Sequence, residues 1–69
     1  MSQVKVGDEV SWQWGTGRAA GTATDVTPDT VIITTKGKKI TRHGTPDNPA
    51  ITIRNNKGVQ ILKLESELA

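Results

Sequence analysis

The sequence predicts an all-β fold, a small closed or nearly closed barrel of five or six short antiparallel strands. Three observations carry this expectation. Threonine is the commonest residue, and Val and Ile dominate the apolar set; such β-branched side chains fit a pleated surface better than a helix. Apolar and polar residues alternate in short runs, the period-two signature of a half-buried strand. Turn formers interrupt these runs at close intervals in a chain of only 69 residues, a spacing that suits small barrels.

The first strand is expected over Asp8 to Trp14, where Val10, Trp12 and Trp14 alternate with Glu9, Ser11 and Gln13. Gly15-Thr16-Gly17 ends it. Arg18 to Thr27 is the second strand. Its small residues Ala19, Ala20, Gly21 and Ala23 predict close approach of a bulky side chain or another backbone, with an indole as the cover. Gly21 is the expected place for a bulge or bend. Pro28-Asp29 turns the chain into a third strand, Thr30 to Thr35. Lys36-Gly37 is a tight turn, and Lys38 to Arg42 returns as the fourth strand. His43 to Pro49 is the segment densest in turn formers and reads as a loop. Ala50 to Arg54 is the fifth strand, with Ile51 and Ile53 on one face. Asn55-Asn56-Lys57-Gly58 signals a hairpin into Val59 to Leu64. Val59 and Ile61 mark one face of that sixth strand and Leu62 and Leu64 the other, which predicts burial on both sides or a bend. Glu65 to Leu68 is long enough for one helical turn only, capped by Ser66 and closing the barrel end.

Length limits the chain to a single domain spanning 1–69. The absence of cysteine removes thiol catalysis, disulfides and cysteine-based zinc sites, and a single histidine removes a His-rich metal site. No cofactor and no metal are expected. No run of apolar residues reaches signal-peptide or membrane-helix length, so the expectation is a soluble, cytoplasmic protein without a membrane partner. The net charge of +2 from 9 basic and 7 acidic residues is ordinary for a solvated surface and weaker than the bias of a dedicated nucleic-acid module.

Three segments go beyond generic patterning: Val6-Gly7-Asp8-Glu9-Val10-Ser11-Trp12-Gln13-Trp14-Gly15, with the later Gly21; Thr41-Arg42-His43-Gly44-Thr45-Pro46-Asp47-Asn48-Pro49-Ala50; and Lys63-Leu64-Glu65-Ser66-Glu67. Together they resemble the hypervirulence-associated protein Tudor domain family over nearly the whole chain. The Gly-Asp-x-Val opening is common to many barrels, whereas the Trp-x-Trp-Gly and Thr-Arg-x-Gly-Thr-x-Asp-Asn-Pro-Ala elements, in that order, are specific. The resemblance implies a small SH3-like (Tudor-type) barrel. It implies no settled activity, because that fold hosts peptide binders, methyl-lysine readers, nucleic-acid binders and at least one reductase.

The candidate partner-binding residues are Trp12, Trp14, Arg42, His43, Asp47 and Asn48. The two tryptophans are the only aromatic residues and share a strand face, so they offer either a platform for a flat or cationic ligand or filling for the core. At least one is expected to be core. The methyl-lysine cage and the usual peptide groove of SH3 domains both need more aromatic walls than this chain holds. The 43–49 loop offers a polar rim; structurally, Asp47 and Asn48 would accept backbone N–H bonds, and Arg42 is in reach of Asp47. Lys36, Lys38, Lys39 and Arg42, followed by His43, form a basic hairpin suited either to phosphate contact or to a solvated tip. Gly15 to Gly21 has neither the spacing nor the following helix of a phosphate-binding loop. No catalytic motif is present.

The expected function is a non-catalytic binding module, not an enzyme, with one rim built from the 42–48 loop and one Trp engaging a protein or peptide partner. The alternative is a nucleic-acid-binding barrel using the basic hairpin 36–43. A third reading, an enzyme whose site is assembled by oligomerisation, requires a stable tetramer.

Overall fold

The computed structural model describes residues 4–68; residues 1–3 and 69 of the expected domain span lie outside the described residues. Six strands are present: β1 (Glu9–Trp14), β2 (Gly17–Thr27), β3 (Thr30–Thr35), β4 (Lys38–His43), β5 (Ala50–Arg54) and β6 (Gln60–Leu64), followed by a 3₁₀ turn at Glu65–Glu67. Expected and observed strands agree in number and order, and small shifts at their ends have local causes. Asp8 falls outside β1 because its N–H closes a turn on the Lys5 carbonyl. Val59 falls outside β6 because its N–H and carbonyl are both held by Asn55, through the side-chain Oδ1 and the backbone N–H respectively.

The strands form two antiparallel sheets, a four-stranded one ordered β1-β2-β5-β6 and the β3–β4 hairpin. The long β2 explains the order. Gly17 to Thr22 pairs with β1, and Thr22 to Thr27 pairs with β5, so one strand serves two neighbours at its two ends. The bulge in β2 lies between Ala23 and Asp25, not at Gly21. There the extra residue, Thr24, turns its hydroxyl onto the Thr52 carbonyl at 3.2 Å. Gly21 serves close approach instead: a Cβ there would stand 2.6 Å from Ile53 Cγ2 and 2.8 Å from the Arg54 carbonyl oxygen.

Residues directly opposite one another in antiparallel strands share a face. Trp12 opposes Ala19, and Ile53 is flanked by Ala23 and Ile61, which brings all five to one side of the sheet. Trp12, Ala23, Ile51 and Ile53 form the first buried cluster, with Val10, Ala19, Val26, Ile61 and Leu68 against it. The indole of Trp12 thus covers the small residues of β2. On the opposite side, Ala50 and Leu62 pack with Ile33, and Val31, Ile40 and Leu64 surround them. The two apolar faces of β6 therefore serve two cores, and β5 is buried from Ala50 to Ile53. Each fully buried Ile or Leu contributes about 1.5–3 kcal/mol.

The β3–β4 hairpin lies against β6. Among the described residues, no ladder joins it to the larger sheet. Side-chain packing therefore closes this side of the barrel, which is nearly closed rather than fully paired among the described residues.

Candidate functional site

Strand register separates the two features that sequence reading placed on one rim. The 43–49 loop follows β4 and leads into Ala50, which pairs with Thr27 at the far end of β2. Trp14 pairs with Gly17 at the opposite end of β2, beyond the reach of β5, whose last partner is Thr22. Of the 42–48 segment, only Arg42 lines the same groove as Trp14; the rest of the loop lies toward the other end of β2.

The loop is held from within. Gly44 N–H donates to the Asp29 carbonyl at 3.0 Å, and Thr45 and Asn48 exchange backbone hydrogen bonds of 3.0 and 3.1 Å. Asn48 Oδ1 accepts the Ser66 N–H at 2.9 Å, and the Pro49 carbonyl accepts the Glu65 N–H at 3.0 Å. His43 Nδ1 and Thr30 Oγ1 share a hydrogen bond of 3.1 Å across the hairpin. Asp47 is exposed at the loop tip. A Cβ at Gly44 would lie 2.6 Å from Ala50 N, 2.7 Å from the Thr27 oxygen and 2.8 Å from the Asp29 oxygen. Glycine is required there by close backbone approach, and most of the loop's polar groups serve the fold.

Arg42 pairs with Glu67, not with Asp47. Its Nε donates to Glu67 Oε1 at 3.1 Å, and Lys63 Nζ lies 3.9 Å from Oε2. The bonds from Glu65 and Ser66 to Pro49 and Asn48 fold the C-terminal turn back onto the loop, within reach of Arg42, and Asp47 is exposed at the tip. Glu67 Oε1 also accepts the Leu64 N–H at 2.8 Å. Glu67 thus closes the 3₁₀ turn, because Ser66 sits inside the turn and its N–H is used on Asn48. Partial burial pushes the Glu67 carboxyl up, but the Leu64 N–H, the Arg42 hydrogen bond and charge, and Lys63 outweigh it and hold its pKa below 4.5.

The remaining feature is an open groove of about 460 Å³ between the sheet and the hairpin. Trp14 stands in it, 71% exposed, whereas Trp12, also in its lining, is 3% exposed. Val59 and Ile61 from the sheet side and Ile40 from the hairpin supply its apolar lining. Lys36, Arg42, Lys57 and Lys63 also line it, and no Asp or Glu does. Both salt bridges among the described residues use Glu67, so Arg42 and Lys63 are partly compensated, while Lys36 and Lys57 form none. Lys36 stands at the β3–β4 turn with a positive φ of 51°, next to Gly37 at 76°. Lys38 and Lys39 begin β4 in exposed positions outside the groove lining.

A family model described as the Tudor domain of hypervirulence-associated proteins matches residues 7–68. The chain belongs to this family. Its Tudor domain is nearly all β, and the match extends from the turn before β1 to the end of the C-terminal turn. A domain of this type is a small binding module. No curated protein and no solved structure matches the chain.

Within the Tudor domain, then, Trp14, Lys36 and Arg42 come together, while Trp12 is core and His43, Asp47 and Asn48 belong to the other end. Sequence reading missed Lys57, Lys63, Val59 and Ile61 as groove residues. The two-sided apolar pattern of the sixth strand was their only signal. No helix among the described residues is long and apolar enough to cross a membrane.

Proposed function

We propose that this Tudor domain is a non-catalytic binding module that receives a negatively charged chain in the Trp14 groove. One observation carries the reading: an indole kept in water at the mouth of an apolar groove whose every ionisable lining residue is a cation. Large exposed aromatics are enriched where partners bind, because one side chain then buries much apolar area. The absence of carboxylates argues for anions and against a methylated cation, which an aromatic cage with acidic support would hold. No carboxylate, imidazole or thiol lines the groove.

The test is backbone and indole chemical-shift mapping with two polyanions of different chemistry, polyglutamate and inorganic polyphosphate, at low salt. Shifts are expected at Trp14, Lys36, Lys57 and Val59, and not at Thr45 or Asn48. Shifts centred on the 43–49 loop, or none with either polyanion, would overturn the reading.

A further inference from the structure

Resting on that groove reading, we propose that its ligand is single-stranded nucleic acid, with one base stacked on Trp14 and flanking phosphates on Lys36 and Lys57. Three features of the groove narrow the polyanion to this class. First, the indole face is free: Trp14 is exposed, and its strand partner is Gly17, which has no side chain to cover it. A bare π-face accepts any nucleobase, and such stacking tolerates sequence because every base is flat. An acidic peptide brings charge but no such ring at each residue.

Second, the uncompensated cations are separated. Lys36 belongs to the β3–β4 turn and Lys57 to the β5–β6 turn, one on each wall of the groove, and neither forms a salt bridge among the described residues. A backbone with a charge at every nucleotide can meet both walls while the base between them points inward. Third, Asn55 and Gln60 line the same groove and offer amide donors and acceptors to phosphate oxygens or base edges. The base must be unpaired to lie on Trp14, so the proposal specifies single strands over duplex.

The experiment is anisotropy of a labelled ten-nucleotide single strand of mixed sequence, with the matching duplex, polyphosphate and polyglutamate as competitors. Tryptophan fluorescence is read in parallel, with the Trp14→Phe protein supplying the Trp12 signal to be subtracted. Binding is expected to quench Trp14. Trp14→Ala is expected to weaken it about 5- to 150-fold, the loss of one stacked base, while Trp14→Phe retains most of it. Affinity should fall with salt at a logarithmic slope of about −1.4 for two phosphate contacts, and Lys36→Ala with Lys57→Ala should flatten that slope. Because Trp14 is exposed, thermal melts of the variants should match the parent, which separates lost binding from lost folding.

If polyphosphate or polyglutamate occupies the groove but the oligonucleotide binds no better and Trp14→Ala changes nothing, the nucleic-acid assignment fails and the groove reading stands. Preference for the duplex, or for polyglutamate over the single strand, also defeats the assignment. If no polyanion binds, both readings fall.

Discussion

Gly44→Ala is the substitution that most directly tests how the 43–49 loop is held. The added Cβ would meet backbone atoms of three segments: Ala50 N at 2.6 Å, the Thr27 oxygen at 2.7 Å and the Asp29 oxygen at 2.8 Å. None is the end of a flexible side chain, so relief requires the start of β5, the end of β2 or the turn between β2 and β3 to move. Overpacking of this kind costs roughly 1–3 kcal/mol. The movement also stretches the Gly44 N–H bond to Asp29, now 3.0 Å, at a further cost of about 1 kcal/mol. The sum, about 2–4 kcal/mol, is large beside a stability of roughly 3–10 kcal/mol for a domain of this size. It corresponds to a fall in Tm of roughly 10–30 °C. Circular-dichroism melts and urea midpoints measure it, with Gly17→Ala as the control, since its nearest foreign atom is 4.0 Å away. A Gly44→Ala protein within about 0.5 kcal/mol of the parent, at unchanged urea dependence, would refute the reasoning and return the loop to the candidate binding surfaces.

Three further outcomes follow from the packing. Trp12→Ala is expected to cost about 3–5 kcal/mol by emptying the first core, and Trp14→Ala less than about 0.5 kcal/mol, read from urea unfolding followed by far-UV dichroism. Lys36→Asn, which places Asn-Gly in a turn where both residues have positive φ, should stabilise the hairpin by about 0.5 kcal/mol while removing a groove cation, so melting temperature rises as polyanion affinity falls. Glu67 has a folded-state pKa below its ordinary 4.5, so its ionised form favours the fold. That contribution is complete above the ordinary carboxylate range and disappears as pH falls through the folded value. Glu67→Gln should therefore lower stability by about 0.5–1 kcal/mol near neutral pH, and the difference from the parent should close in acid, as urea midpoints against pH would show.

Alternation made the strands legible. Val10 and Trp12, Ile51 and Ile53, and the paired faces of Val59 to Leu64 reported their burial through spacing alone. Partner choice was not legible, because alternation gives a strand's faces and not its neighbours. Nothing local says that β2 pairs with β5 and leaves β3 to its own hairpin. The same limit hid the different fates of Trp12 and Trp14. They share parity on β1, and only the register of β2 against β5 shows that Trp14 lies past the end of the next strand. Arg42 was paired in sequence with the nearer Asp47, whereas the fold supplied Glu67, 25 residues away. Gly21 was recognised as special, but the bulge belonged to Thr24, whose type carries no bulge signal.

The groove's walls belong to two sheets. Trp14, Val59 and Ile61 are anchored to the larger one, and Lys36 and Ile40 to the hairpin, and among the described residues no strand ladder joins the two. A backbone ladder is rigid to the residue, since sliding it breaks every rung. A seam of aliphatic contacts can slip by fractions of an ångström at little cost. The mouth of the groove is consequently a dimension of this barrel that no strand ladder fixes among the described residues.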